Sequence, residues 1–286
     1  MHKKKRGFTL IELLVVIAII ALLMSILMPA LAKVKKQAMT VVCRSRGKQW
    51  GVVFSMYTGE NDGFFHSREV GTTKGYSRMW PYVYKKMYND PKMRFCPTAE
   101  NPARDTGPFG TWNYTVGSYY PTSDPTLLMP GEREFEKSAN KVTEGFFTGS
   151  LGMNRWVENM KGGTMGTDQG FWRRADAKGG DKVPVLLDSQ YLYYWSSLSA
   201  EPPAYNGDYT TPEMHWVAID RHMGYNNVVY LDFSVRKTGL KELWALKQSR
   251  TTDTCGQWTI CKFGSRTACK NAWDAAAPWM SSMPVY

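Results

Sequence analysis

From residue 8 to residue 32 the chain is apolar almost without interruption, broken only by Thr9, Ser25, one ionisable group at Glu12 and one proline at Pro29. At ~1.5 Å per residue, these ~25 residues make a helix of ~37 Å, enough to cross a ~30 Å hydrocarbon layer with some tilt. Beyond Ala32 the apolar positions thin out to intervals of three and four residues: Val34, Ala38, Val41, Val42, Trp50, Val53, Phe54 and Tyr57. Lys33, Lys35, Lys36, Arg44, Arg46 and Lys48 fill the spaces between them. That period continues the helix, so the pattern predicts one helix from Phe8 to Tyr57 whose outer half lies on a head by a single apolar face. Gly47 and Gly51 are its weak points. Glu60-Asn-Asp-Gly63 reads as the stop.

After the stop, Gly, Pro, Asn, Asp and aromatic residues dominate and helical periodicity fades, which predicts a mainly β head. Val183-Pro-Val-Leu-Leu187 reads as a buried strand. Val228 to Leu231, Asp232-Phe233 and Ser234 to Arg236 read as a hairpin in which Asp232 accepts from the following amides. Lys241 to Gln248 reads as a short amphipathic helix. The expected fold class is α+β, with the long N-terminal helix packed on an antiparallel sheet.

Composition narrows the functional classes. Apolar residues at 43% and charged residues at 21% of 286 exclude global disorder, and no second stretch is long and apolar enough for a polytopic membrane protein. The formal charge of +11 is unevenly placed: residues 1–60 carry ten basic groups against Glu12 and Glu60, a net +8, and the remainder carries +3. The basicity therefore follows the apolar segment. Lys3 to Arg6 hold the leader on the cytoplasmic side by the positive-inside rule, and the bulk of the chain goes outside. A nucleic-acid partner is not expected.

Lys-Lys-Lys-Arg-Gly7-Phe8-Thr-Leu-Ile-Glu12 resembles the cleavage and methylation signal of type IV pilins and type II secretion pseudopilins. The resemblance implies cleavage after Gly7 by a prepilin peptidase and methylation of the new N-terminal Phe8. It also implies that Glu12 pairs with a neighbour's N-terminal ammonium in a filament, and that Pro29 is a point where the helix kinks or melts on assembly. A carboxylate in lipid is expensive alone and tolerable beside a buried cation, so this pairing favours assembly over the lone subunit. A plain secretory signal peptide ending at Ala30-Leu31-Ala32 is the competing reading. Its apolar core would be shorter, typically about 7–15 residues, and would not enclose a carboxylate.

Head segments extend the resemblance toward a pseudopilin-like group abundant in planctomycetes: His222, nine residues, then Asp232; Cys43 with Gln49; Phe95-Cys96-Pro97; Gly152-Met-Asn154; and Val183 to Asp188. Phe233 stands where that group usually has glycine, which puts the turn geometry in question. The implied layout is a leader over 1–7, a transmembrane and filament-core half over 8–32 and an amphipathic continuation over 33–60. A head over 61–286 follows, with a loop insertion at about 100–180 and a cysteine-containing tail at about 250–286. The implied partners are other pilin-like subunits, the prepilin peptidase, an inner-membrane assembly platform and the lipid bilayer. The implied location is a single-pass inner-membrane protein with a periplasmic head, assembled into a periplasmic or cell-surface filament.

No assembled catalytic constellation stands out, and the chain is expected not to be an enzyme. His222 and Asp232 are expected to hold a hairpin. Asp188, Asp220 and Asp232 are the oxygen ligands for a possible Ca2+, without any EF-hand-like spacing. No other cofactor is expected. Cys43, Cys96, Cys255, Cys261 and Cys269 would lie in an oxidising compartment and are disulfide candidates, with a local staple in the tail triplet and Cys43 to Cys96 tying helix to head. No Cys-x-x-Cys pair points to zinc. The tryptophans of the head read as core, and the alternative function is a surface adhesin or glycan-binding module displayed through the pilin-like segment.

Overall fold

The computed structural model describes residues 9–67, 80–88, 90–99, 112–116, 134–136, 143–160, 168–195, 200–208 and 213–286. Its first element is α1, Leu10–Glu60, a helix of 51 residues that runs through Pro29 without a break. Thr9 caps it: its hydroxyl oxygen accepts from the Glu12 amide at 3.2 Å, while Glu12 Oε2 accepts from the Thr9 amide at 2.8 Å. The two bonds satisfy helix-end donors reciprocally. At the other end Asn61 is the C-cap and Gly63 has φ of 81°, so the turn-rich stop signal does end the helix.

Every residue from Leu10 to Ala38 is exposed, whereas Thr40, Cys43, Gly47, Trp50, Gly51, Val53, Phe54 and Thr58 are buried. Those positions form one stripe, and it lies on a five-stranded sheet. The sheet is built from β4 (Leu151–Asn154), β5 (Pro184–Asp188), β6 (Tyr193–Tyr194), β7 (Tyr225–Tyr230) and β8 (Val235–Gly239), in the order β6-β4-β5-β7-β8. Its pairs are antiparallel except β4 with β6. A second, three-stranded antiparallel sheet has β3 (Thr143–Gly149) between β1 (Trp112–Val116) and β2 (Glu134–Glu136). The 100–180 stretch is thus not purely a loop insertion, since it supplies β4 to the central sheet.

The central sheet separates two cores. On the α1 side, Trp50, Val53 and Phe54 meet Val229, Leu186, Trp80 and Tyr84; on the other, Leu187, Val228 and Tyr230 meet Trp244, Trp258 and Trp273. Val185 and Leu186 both face the α1 side because the register with β7 shifts between Pro184 and Leu186, which interrupts the alternation of a regular strand. Behind the second core, α2 (Trp80–Val83) has no part; the tail closes it with α3 (Ile260–Phe263) and α4 (Arg266–Ala276). Gly264 ends α3 in the left-handed region at φ of 70°, and Ser265 caps α4 by accepting from the Ala268 amide at 3.1 Å.

The β7–β8 hairpin forms as its sequence indicates. The Phe233 amide donates to Tyr230 O and the Tyr230 amide to Ser234 O, both at 2.9 Å, and Phe233 itself sits at φ of 63°. This is a type I turn followed by a left-handed residue, the position that glycine normally fills. The glycine-type geometry is retained with a phenylalanine in it, at roughly 1–2 kcal/mol of backbone strain. The Phe233 side chain packs on the α1-side core. Its carbonyl oxygen lies where a Cβ on Gly51 would come within 2.7 Å, so Gly51 lets the helix backbone approach the turn. Lys241 to Gln248 does not make an α-helix: Lys241–Ala245 is a 3-10 segment, and Leu246 is already extended. Five residues are too few to repay helix nucleation, and Gln248 is instead bonded to Leu243 O, Tyr194 OH and Asn154.

Candidate functional site

Two features of α1 are candidates for function. The first is its apolar half, a continuous surface on which Leu10 is 85% and Leu31 68% exposed, with every large apolar side chain between them also open. Among the described residues α1 is the helix long and apolar enough to cross a membrane. Glu12 sits at its very start, closed onto Thr9 by the capping box, with Oε2 also accepting from the Thr9 hydroxyl at 2.8 Å. Pro29 lies within the exposed run. Gly7 and Phe8, the expected processing residues, lie outside the described residues.

The second feature is where α1 first enters the head. Thr40, Cys43, Arg46 and Trp50 follow one another at helical spacing, so all four face the head. Arg46 Nη1 donates to Phe95 O at 2.7 Å, and Trp50 Nε1 donates to Met93 O at 2.7 Å. The Cys96 amide donates to Ser150 Oγ at 2.6 Å, and the Ser150 amide to Arg94 O at 2.9 Å. The Phe95-Cys96-Pro97 loop is thereby pinned between helix and β4, with the Cys96 side chain turned inward. Asp188 ends β5, and its amide and carbonyl are held by the Asn226 side chain at 2.9 and 3.1 Å. His222 precedes β7.

These elements bring Cys43 Sγ, Cys96 Sγ, an Asp188 carboxylate oxygen and a His222 ring nitrogen to within 4.8 Å of one another, all buried. Cys96 Sγ lies 3.2 Å from His222 Nε2, His222 Nε2 lies 3.2 Å from Asp188 Oδ2, and the Cys43 thiol donates to Asp188 Oδ1 at 3.8 Å. His222 Nδ1 lies 3.1 Å from Thr40 Oγ1, whose own hydrogen goes to Lys36 O at 3.0 Å. The hydroxyl therefore accepts from Nδ1–H, which directs Nε2 at the cluster. Arg221 Nη1, donating to Ser150 O at 2.7 Å, lies 3.7 Å from Asp188 Oδ1.

The electrostatics follow from this packing. Burial opposes ionisation of Cys96, but hydrogen bonding with Cys43 and the nearby His222 outweigh it and bring the thiol down to about 6. Burial likewise opposes the His222 cation, and the Asp188 carboxylate outweighs it, raising the ring to about 10. Asp188 stays below the usual carboxylate range despite burial, because His222 and Arg221 face it. Cys43 is pushed well up by its hydrogen bond with Cys96, by burial and by the Asp188 charge. The cluster thus holds a thiolate, an imidazolium and a carboxylate with Arg221 alongside, and one neutral thiol.

Several sequence expectations need correction. His222 is partnered by Asp188 and Cys96 and not by Asp232, which lies exposed in the hairpin turn and accepts from Ser234 N at 3.0 Å. Asp220 accepts from the Gly224 amide at 2.7 Å, so the converging group contains Asp188 without Asp220 or Asp232. Cys43 and Cys96 are adjacent but stand as free thiols. In the tail, Cys255 and Cys261 form the staple with Cα atoms 5.3 Å apart, while Cys269 is a buried free thiol. Trp50, Trp80 and Trp273 are fully buried, and Trp172, Trp216, Trp244 and Trp258 are buried as well, so these tryptophans are core.

The prokaryotic N-terminal methylation motif matches residues 2–28 of the chain. No curated protein matches it, and no solved structure does either. The motif match, with the long apolar helix and the mixed sheet, supports a type IV pilin-like subunit.

Proposed function

We propose that this chain is a pseudopilin of a type II secretion filament, related to the planctomycete-type group, that is inserted in the inner membrane with its head in the periplasm, cut after Gly7 and methylated on Phe8. The observation that carries the reading is the exposure of α1 from Leu10 to Ala38, most of which lies within the methylation motif. Such a length of apolar helix needs lipid before assembly and the helices of sister subunits after it. Glu12 fits both states. In the single chain its carboxylate is occupied by Thr9, two bonds that can be exchanged for a neighbour's Phe8 ammonium when subunits pack.

Intact-mass and N-terminal analysis of protein from the native membrane tests the processing step. The expected product begins at methylated Phe8; a product beginning at Lys33 would identify a conventional signal peptide and remove the pilin reading. Glu12→Ala is expected to be cleaved normally and to be absent from sheared filament fractions. Normal incorporation of that variant would remove the charge-pair account of assembly.

A further inference from the structure

We infer that Cys43, Cys96, Asp188 and His222 form a structural binding site for a thiophilic divalent transition-metal ion of the zinc type, which clamps the assembly helix to the head. The donor set is two thiolates, one imidazole and one carboxylate. Metal–donor lengths of about 2.3 Å to sulfur and about 2.0–2.2 Å to nitrogen or oxygen in a tetrahedron place the donors roughly 3.3–3.8 Å apart. The separations present are 3.2 Å for Cys96 Sγ to His222 Nε2, 3.2 Å for His222 Nε2 to Asp188 Oδ2, and 3.8 Å for Cys43 Sγ to Asp188 Oδ1. All four donors lie within 4.8 Å of one another, so side-chain shifts of up to about 1 Å turn this set into a coordination shell. Closed burial and four protein donors are the marks of a structural site rather than a catalytic one.

The surroundings point the same way. Thr40 takes the hydrogen of His222 Nδ1 and so orients the ring with Nε2 toward the other donors, the arrangement in which metal-bound histidines are held. Asn227, also buried, lies against Cys43, and neither polar atom of its side chain has a hydrogen bond of ordinary length. Its amide is placed to donate to a thiolate. A divalent ion with two thiolates and one carboxylate carries a net charge of −1, and Arg221 beside Asp188 neutralises it. Metal uptake sends the Cys43 thiol proton and the His222 Nε2 proton to solvent. The competing outcome in an oxidising compartment is a Cys43–Cys96 disulfide. That bond would neutralise both sulfurs and give no role to the convergence of His222 and Asp188 on the same point.

The consequence is topological. The four donors are far apart in sequence and belong to α1, the loop before β1, the end of β5 and the approach to β7. One ion at this point would fix the helix just where it leaves the exposed apolar half.

The test uses the full-length protein, purified in detergent under reducing conditions and loaded with zinc or cobalt. The expected result is one zinc per chain, and a cobalt form with thiolate charge-transfer bands and the intense visible bands of tetrahedral coordination. Cys43→Ser and His222→Gln should abolish these bands. Thr40→Val, which leaves all four donors in place, should weaken zinc binding by about 10–100-fold. Cobalt bands unchanged by Cys43→Ser, absence of stoichiometric zinc in the folded wild-type protein, or a Cys43–Cys96 bridge in peptides from native membranes would each overturn the proposal. If the cysteine variant fails to fold, the wild-type stoichiometry and the Thr40→Val shift decide it.

Discussion

The two halves of α1 share one backbone and differ in what covers them. Up to Ala38 every side chain is open, and from Thr40 onward one stripe is closed by the head. The inner half has apolar residues all round, which suits lipid or a bundle of like helices; the outer half closes one stripe onto the head and leaves Lys48, Val41 and Val52 outside it, which suits a single protein surface. The same secondary structure therefore serves two solvents, and the boundary falls at Thr40 and Cys43, where the buried cluster begins.

The comparison breaks first at Trp50, fully buried, in contact with the Trp80 and Tyr88 rings and bonded to Met93 O. Trp50→Ala is expected to lower head stability by about 3–5 kcal/mol, read by denaturant unfolding of the full chain in detergent. A loss under about 1 kcal/mol would mean that the outer half is not docked as described. Gly51→Ala should come next. Its Cβ would meet Phe233 O at 2.7 Å, backbone that cannot swing aside, and overpacking of that kind costs about 1–3 kcal/mol. Alanine returns up to about 1 kcal/mol of helix propensity, so the expected net loss is about 1–2 kcal/mol in the same unfolding measurement.

Much of this division is legible in the sequence, and the limits of legibility have physical causes. The apolar run, the period-3.6 stripe and the turn signal after Tyr57 depend on neighbours in the chain; the run and the turn recur in the structure, and the stripe does so at Trp50, Val53 and Phe54, while Val34, Ala38 and Val41 stay exposed. Val183 to Leu187 is likewise plain as a strand because its burial makes it apolar throughout. Gly47 and Gly51 read as weak helix positions, and their actual role, room for Val235 and the Phe233 carbonyl, depends on a hairpin some 180 residues away. Cys43, Cys96, Asp188 and His222 each stand out singly, yet their meeting depends on α1, β5 and two loops converging. Sequence spacing, which finds short-range metal motifs, contains no trace of that. The expectation that His222 pairs with Asp232 fails for the same reason: it assigns a strand neighbour where the sheet supplies Asp188 from β5.

Tyr84 sharpens the comparison through pH. It is fully buried against Phe54, Tyr57 and Trp50 of the docked half, and its hydroxyl bonds His66 Nδ1 at 3.0 Å. Burial holds its phenol well above the ordinary value of 10, as it does that of Tyr194 on the opposite face of the sheet. Above that value the unfolded chain releases these protons while the folded chain keeps them, so stability is full below pH ~10 and falls as pH rises through it. Tyr84→Phe should cost about 1 kcal/mol at neutral pH for the lost hydrogen bond and flatten the alkaline decline. An unchanged alkaline slope would show that Tyr84 titrates freely and that the docked half opens at high pH.

The smallest effect on folding is expected at Leu22, 65% exposed in the middle of the inner half. Leu22→Ala removes several apolar groups that touch no other element of the head, so the unfolding midpoint in detergent should move by less than about 0.5 kcal/mol, against 3–5 kcal/mol for Trp50→Ala. Incorporation into filaments, measured in sheared fractions, should nevertheless fall, because the face emptied at Leu22 is one that sister helices would fill. The two readouts respond in opposite ways to the two substitutions only if the halves of α1 are energetically separate. A stability loss at Leu22 comparable to that at Trp50 would mean that the inner half folds back onto protein in the single chain, and that its exposure is not what assembly relieves.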